Sequence, residues 1–118
     1  MELVDESSVS QLRELLGGEF WIVRDSYIDQ LREGVLELNR SIELHDIAAL
    51  KALAHRLKGS SLDMGCSALT AQFAAVENTC AGIEDRTTEL STATLALEEL
   101  IPTLDPLVQK TIQKLLAV

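Results

Sequence analysis

Residues 46–65, with the sequence DIAALKALAHRLKGSSLDMG, carry the clearest helix signal in this chain. Asp46 is a good N-cap, because its carboxylate can accept hydrogen bonds from the free amides of a first helical turn. Gly65 is a typical end point, since glycine readily takes up the left-handed conformation that terminates many helices. Between them, apolar or small residues recur at alternating steps of three and four, at Ile47, Leu50, Ala54, Leu57, Ser61 and Met64. This period predicts an amphipathic helix with one buried face.

The same period marks the segments on either side of this helix. The long segment before it is predicted to be helical from the stripe at Trp21, Ile28, Leu31, Val35, Leu38 and Ile42. The segment after it is predicted to be helical from the stripe at Leu69, Phe73, Val76, Cys80 and Ile83. Residues 81–90 are polar and are interpreted as a connection. Near the N-terminus, the capping-box sequence Ser8-Val9-Ser10-Gln11 predicts a short helix over residues 7–17, with Leu12, Leu15 and Leu16, ended by Gly17-Gly18.

The last segment contains two prolines, Pro102 and Pro106, within an apolar pattern that runs from Leu95 to Leu116. Because proline removes a helix hydrogen bond and clashes with the preceding turn, this segment is either kinked at Pro102 or split in two with Pro106 in a first turn. Four amphipathic segments with short links, and no strand-type alternation, predict an all-α fold. We expect one domain over residues 1–118: the short helix at 7–17 and an antiparallel four-helix bundle at 19–116.

Composition excludes several classes of function. The chain has 118 residues, of which 47 % are hydrophobic, enough for one core. Its net charge of −9 argues against binding to nucleic acid or to an anionic membrane surface. The longest uncharged stretch, residues 64–76, is too short to span a bilayer, and the acidic start does not resemble a signal peptide. We expect a cytoplasmic, monomeric protein in which Cys66 and Cys80 are reduced thiols that act as small hydrophobic groups.

His55 is the residue that the buried stripe does not explain. At 100° per residue it lies about 160° from Leu57, at the centre of the stripe, so it faces outward. Gly59 also lies in the middle of this helix, where glycine costs about 1 kcal/mol relative to alanine. That cost suggests that something approaches the backbone closely at Gly59. Residues 46–65 have a net charge of +1, whereas the rest of the chain has −10. Neighbours of His55 on its own face are Lys51, Ala52, Lys58 and Gly59. An exposed imidazole between two lysines is what a phosphorylated histidine would need.

The residues around His55 resemble a known signature. Residues 54–61 read Ala-His-Arg-Leu-Lys-Gly-Ser-Ser, and Gly65 follows. This is similar to the A-H-x-L-K-G-S-S…G pattern of histidine-containing phosphotransfer (HPt) domains, the carrier modules of phosphorelays. Leu69 and the Val76-Glu77 pair also lie where that family usually has a leucine and a Leu-Glu pair. The resemblance covers the chain in length and helix order, and it departs at Met64, at Cys66 and at the two late prolines.

The resemblance implies a phosphocarrier and not an enzyme. His55 would accept a phosphoryl group from an aspartate of a receiver domain and pass it, reversibly, to another receiver aspartate. The implied partners are receiver domains of response regulators or of a hybrid sensor histidine kinase. No glycine-rich phosphate loop is present in the sequence, so no ATP site is expected. We expect no cofactor or metal on this chain, with Mg²⁺ bound to the partner receiver.

Roles for individual residues follow from the resemblance together with helix register. Pairing two antiparallel helices about the turn at Gly65-Cys66 places His55 opposite Val76, and Glu77 is then the nearest polar residue. We expect its carboxylate to accept the Nδ1 proton and leave the Nε2 lone pair free. Lys58, helped by Lys51, would neutralise the phosphoryl oxygens. The predicted contacts with the partner are Lys51, Ala52, Arg56, Gly59, Ser60 and Leu62.

Other interpretations of the same residues are weaker. A metal site is disfavoured, because His45 and His55 are ten residues apart with no cysteine at ligand spacing. The phosphoacceptor hairpin of a sensor kinase usually has an acidic residue directly after its histidine, and here Arg56 occupies that place. The remaining alternative is an interaction module of the same fold that binds and sequesters response regulators without transferring phosphate.

Overall fold

The computed structural model describes residues 2–118 and contains five helices. They are α1 (Glu6–Leu16), α2 (Glu19–Glu43), α3 (Ile47–Asp63), α4 (Ser67–Glu84) and α5 (Leu90–Leu116). No β-strand occurs within residues 2–118, and the prediction of an all-α fold is confirmed. The molecule is elongated, at 47 × 22 × 21 Å. Within the same residues, no helix combines the length and the hydropathy needed to cross a membrane.

Helices α2 to α5 pack in a closed ring, in which α2 and α4 each contact both α3 and α5. Residue numbers rise along one helix while they fall along its neighbour, so α3 is antiparallel to α2 and to α4. The contacts that show this are Tyr27–Ser61 and Glu37–Arg56 between α2 and α3, and Lys58–Glu77 and Lys51–Glu84 between α3 and α4. Helix α1 lies outside the ring and contacts α2.

Helix α3 has the bounds that the sequence predicts. The Asp46 carboxylate accepts a hydrogen bond from the amide of Ala49 at 3.1 Å, and Gly65 has the left-handed φ of +71°. A Cβ at Gly65 would lie 2.9 Å from the Cβ of Ser8, so the turn also needs glycine for space. Ile47 is only half-buried, whereas Leu53, which the stripe left out, is buried. The rest of the stripe is buried as predicted, at Leu50, Ala54, Leu57, Ser61 and Met64.

The N-terminal helix begins earlier than predicted, and its cap is a different residue. Asp5 caps α1, because its carboxylate accepts hydrogen bonds from the amides of Ser7 and Ser8. Ser8, predicted to be the capping residue, donates its hydroxyl to the same carboxylate at 2.8 Å. Because Asp5 caps the helix three residues earlier, Ser8 lies inside the first turn, where its hydroxyl binds the capping carboxylate and does not cap amides itself. Leu15, predicted to lie on the apolar face, is exposed.

The buried stripe of α2 differs from the prediction at its first turns. Phe20 and Tyr27 are buried there, whereas Trp21 is 37 % exposed. Burying Phe20 leaves its neighbour at the edge of the helix, where the Trp21 ring lies 5.0 Å from the guanidinium of Arg13 and 4.9 Å from that of Arg24. Such cation–π contacts stabilise an aromatic ring without full burial. The later positions agree with the prediction, with Ile28, Leu31, Val35 and Leu38 buried and Ile42 partly buried.

The predicted connection at residues 81–90 is too long, because α4 continues to Glu84 and the link covers residues 85–89. Thr87 and Thr88 fold back on Gly82, whose carbonyl accepts hydrogen bonds from both amides, at 3.0 and 3.3 Å. A Cβ at Gly82 would lie 2.9 Å from the hydroxyl of Thr88. This glycine therefore marks a close approach inside a helix and does not mark the end of one.

Helix α5 is continuous through Pro102 and Pro106, so the interpretation as two separate helices is wrong. The carbonyl groups that the prolines leave without an amide partner belong to Glu98 and Pro102, both at exposed positions where water can bind them. Leu95 and Leu116, predicted to be in the apolar stripe, are exposed. The buried face of α5, which packs against α2 and α4, contains Ala93, Leu97, Ile101, Leu104, Val108, Thr111, Ile112 and Leu115.

Candidate functional site

His55 lies in the middle of α3 on its solvent side. Its side chain is 71 % exposed, whereas the flanking Ala54 and Leu57 are fully buried. These two buried residues pack α3 against the neighbouring helices and fix the rotation of α3 about its own axis, so the imidazole points outward. Because the side chain is exposed, a ring nitrogen of His55 is available to react with another molecule.

Glu77 of α4 contacts His55 and Lys58 at the same time. Its Oε2 lies 2.5 Å from Nδ1 of His55, and its Oε1 lies 2.5 Å from Nζ of Lys58. The side chain of Glu77 is only 14 % exposed, so the carboxylate lies in the groove between α3 and α4. The hydrogen bond from Lys58 is the largest cause of the lowered pKa of the Glu77 carboxyl. Burial raises this pKa, and the weaker effect of the hydrogen bond from His55 lowers it again.

The ionised carboxylate determines the tautomer of the imidazole. A carboxylate without a proton can only accept hydrogen bonds, so Nδ1 of His55 must be the donor. In the neutral imidazole the other ring nitrogen, Nε2, then has no proton and carries the free lone pair. Lys58 contributes a positive charge beside the same carboxylate, which keeps it ionised. The arrangement makes Nε2 a nucleophile on a rigid helix, and it can stabilise positive charge on the ring.

The other two cations of α3 are paired with carboxylates of neighbouring helices. Lys51 donates to Oε2 of Glu84 in α4 at 2.7 Å, and the guanidinium of Arg56 lies 3.7 Å from the carboxylate of Glu37 in α2. The structure therefore places the ammonium group of Lys51 on Glu84 and not on His55. With Lys58 on Glu77, each cation of α3 has a carboxylate partner, and the surface around His55 is less basic than the local sequence suggests.

The remaining predicted residues lie on the same exposed side. Ala52, Gly59 and Leu62 are exposed, and Leu62 is 67 % exposed despite its apolar side chain. A Cβ at Gly59 would meet no atom within 4 Å, so no packing within the described residues requires glycine there. The hydroxyl of Ser60 donates to the backbone carbonyl of Arg56 at 3.2 Å and contacts the side-chain oxygen of Gln30 at 3.3 Å. The surface along α3 beside His55 therefore combines small residues with one exposed apolar side chain, that of Leu62.

Sequence reasoning missed Glu37 and Glu84, the carboxylates that bind Arg56 and Lys51. A signal for Glu84 was present, because it follows Glu77 by seven residues and so lies on the same face of α4. A metal centre finds no support within residues 2–118, where no cluster of three His, Cys, Asp or Glu residues is placed to bind a metal ion. Both cysteines are buried, and burial raises the pKa of each thiol to about 11.

Comparisons with known proteins bear on this site and fold. The family model of the Hpt domain matches residues 23–117. Among solved structures, the chain is similar to histidine-containing phosphotransfer protein B (HptB) from Pseudomonas aeruginosa, with 20 % identity and a TM-score of 0.66. That match covers 95 % of this chain and 96 % of the other, and it shows a shared fold. No curated protein matches the sequence. Because the family model spans most of its length, this chain belongs to the Hpt domain family, which carries out histidine phosphotransfer in phosphorelays.

Proposed function

We propose that His55 is the phosphorylated residue of this domain and that Nε2 is the atom that carries the phosphoryl group. One observation supports this assignment most directly: an exposed imidazole whose Nδ1 is bound to the Glu77 carboxylate. This contact leaves the Nε2 lone pair free, and the helix holds the ring still. The second histidine, His45, lies in the short link between α2 and α3, outside this arrangement.

The proposed reaction exchanges a phosphoryl group between His55 and the aspartate of a receiver domain. Nε2 attacks the phosphorus in line, the P–N bond forms, and the P–O bond to the aspartate breaks with its electron pair left on the aspartate carboxylate. The proton stays on Nδ1, so the phosphorylated ring carries a positive charge, which Glu77 stabilises. Transfer to a second receiver runs the same steps in reverse. Charge on the moving phosphoryl group is neutralised by Lys58 together with Mg²⁺ bound to the receiver.

The chain acts as a carrier between receiver domains. We propose that it has no ATP site and holds no cofactor or metal of its own, which agrees with the lack of a glycine-rich phosphate loop. We also propose that α2 to α5 form one antiparallel four-helix bundle, supported by their closed ring of contacts. The receiver is proposed to cover the exposed surface beside His55, with contacts to Lys51, Ala52, Arg56, Gly59, Ser60 and Leu62.

The test is transfer of radioactive phosphate from a phosphorylated receiver to the chain. We expect acid-labile, base-stable label on the wild type and on the control variant His45→Asn, and none on His55→Gln. Thermal unfolding should show that His55→Gln remains folded, since the side chain is exposed. Label on His55→Gln would refute the assignment. Binding of the receiver to the wild type without transfer of label would instead support a sequestering module.

A further inference from the structure

The groove between α3 and α4 carries three polar contacts in a row, with His55 in the middle. In order along α3 they are Lys51–Glu84, His55–Glu77 and Lys58–Glu77. We call these five residues the α3–α4 charge row. Lys58 binds the carboxylate of Glu77, which orients the imidazole. Lys51 has no such function in the contacts of the unphosphorylated chain, because its ammonium group is held by Glu84.

Lys51 lies one helical turn before His55, on the same side of α3. Residues at this spacing are neighbours on the helix surface, and helical side chains lean toward the N-terminus, so the imidazole leans toward the turn that contains Lys51. The side chains of Glu84 and Lys51 are each 38 % exposed, so water reaches this ion pair and weakens it. The pKa of Lys51 is raised first by the hydrogen bond and charge of Glu84, and further by the charges of Asp85 and Glu77, so Lys51 lies within electrostatic range of the carboxylate that binds His55.

Phosphorylation changes the charges in this row. A phosphoryl group brings close to two negative charges and three strong acceptor oxygens at neutral pH. In the unphosphorylated chain Glu84 offers Lys51 one negative charge. In the phosphorylated chain the phosphoryl group on Nε2, one helical turn from Lys51 along α3, offers a larger charge, and Glu84 becomes the weaker of two competing acceptors.

We propose that Glu84 holds Lys51 away from His55 in the unphosphorylated chain and that Lys51 moves to the phosphoryl oxygens when Nε2 is phosphorylated. The inference rests on the proposed role of His55. Lys51 then stabilises the phosphorylated form, and Glu84 opposes that form by competing for the same ammonium group. Both are positioning residues that set how much phosphate remains on the histidine in equilibrium with a receiver aspartate.

The experiment measures this equilibrium for variants that remove one member of the pair. Full-length chain and one phosphorylated receiver are mixed with Mg²⁺, and the ratio of phosphate on the two proteins is measured after equilibration. Glu84→Gln frees Lys51, so we expect the ratio to shift about two- to fivefold toward the histidine. Lys51→Gln removes the cation, so we expect a shift of similar size toward the receiver. Lys51→Arg keeps the charge and should behave like the wild type.

Opposite shifts distinguish this proposal from a purely structural ion pair. If the pair only joined α3 to α4, both variants would lose the same contact and would change stability and equilibrium in the same direction. Matched controls are Glu98→Gln and Lys110→Gln, exposed on α5, which does not contact α3. They change the net charge equally and should leave the ratio unchanged. If the wild type takes up label but Glu84→Gln and Lys51→Gln shift the ratio in the same direction, or do not shift it, this inference alone is overturned. If the wild type takes up no label, the proposed function is overturned as well.

Discussion

Replacing Glu77 with alanine removes a carboxylate that binds His55 and Lys58 together. Each of its oxygens accepts one hydrogen bond from a group that is partly in water, so each bond contributes about 0.5–1 kcal/mol to stability. We expect Glu77→Ala to lower the free energy of unfolding by about 1–2 kcal/mol. That loss leaves a domain of this size folded, because the buried core is not touched.

The effect on phosphotransfer follows from the tautomer. Without the carboxylate, the imidazole loses the bond that holds its proton on Nδ1, and Lys58 loses the bond that holds it beside the ring. The loss of both bonds, about 1–2 kcal/mol together, corresponds to a roughly 5- to 30-fold slower transfer. Glu77→Gln keeps an amide oxygen that can accept from Nδ1 and loses only the charge. We expect this variant to transfer phosphate only two- to threefold more slowly, at about the value of one weak exposed ion pair.

The assay is a single-turnover reaction with a phosphorylated receiver in excess, followed by the appearance of label on the chain. Denaturant unfolding of each variant checks that it is folded. Asn78→Ala is the matched control, since Asn78 is the exposed neighbour of Glu77 on α4. Transfer by Glu77→Ala at the wild-type rate would refute the reasoning. A defect in Glu77→Gln as large as in Glu77→Ala would show that the charge and not the tautomer is decisive.

Three further predictions concern pH, glycine positions and the thiols. The pKa of Glu77 is lowered in the folded chain, so its contribution to stability is full above its ordinary value of 4.5 and is lost as the pH falls through the lowered pKa. The melting temperatures of wild type and Glu77→Gln should therefore differ at pH 7 and approach each other as the pH falls below 4.5. Gly34→Val should lower the free energy of unfolding by about 1–3 kcal/mol, because a Cβ at this position would lie 2.8 Å from a methyl carbon of Leu57. Gly59→Ala should raise the free energy of unfolding by about 1 kcal/mol, because a Cβ at this position meets nothing within 4 Å. Equilibrium denaturation compares the two, and equal effects would contradict the packing described. Cys66 is buried with its thiol pKa raised to about 11, so a thiol-reactive disulfide should modify it at the rate of unfolding, and rapid modification of the native chain would contradict its burial.

The sequence by itself determined the elements whose energy is local. The period of α3, its cap at Asp46 and its end at Gly65 all depend on residues within one or two turns, and all three agree with the structure. The outward position of His55 follows from the same period. The short turn after α3 then fixes the register with α4, which is why the sequence alone identifies Glu77 as the polar residue nearest to His55.

Tertiary structure alone decided the features that depend on distant residues. Whether Phe20 or Trp21 is buried depends on which side of α2 faces the core of the bundle. The two arginines beside the Trp21 ring come from α1 and α2. The continuity of α5 depends on exposed carbonyl groups that water can bind. Counting charges along α3 predicted a basic surface, but the partners of its cations lie on other helices, at Glu37, Glu77 and Glu84. Electrostatic interaction depends on distance in space, and a linear sequence contains that distance only after the helices are packed.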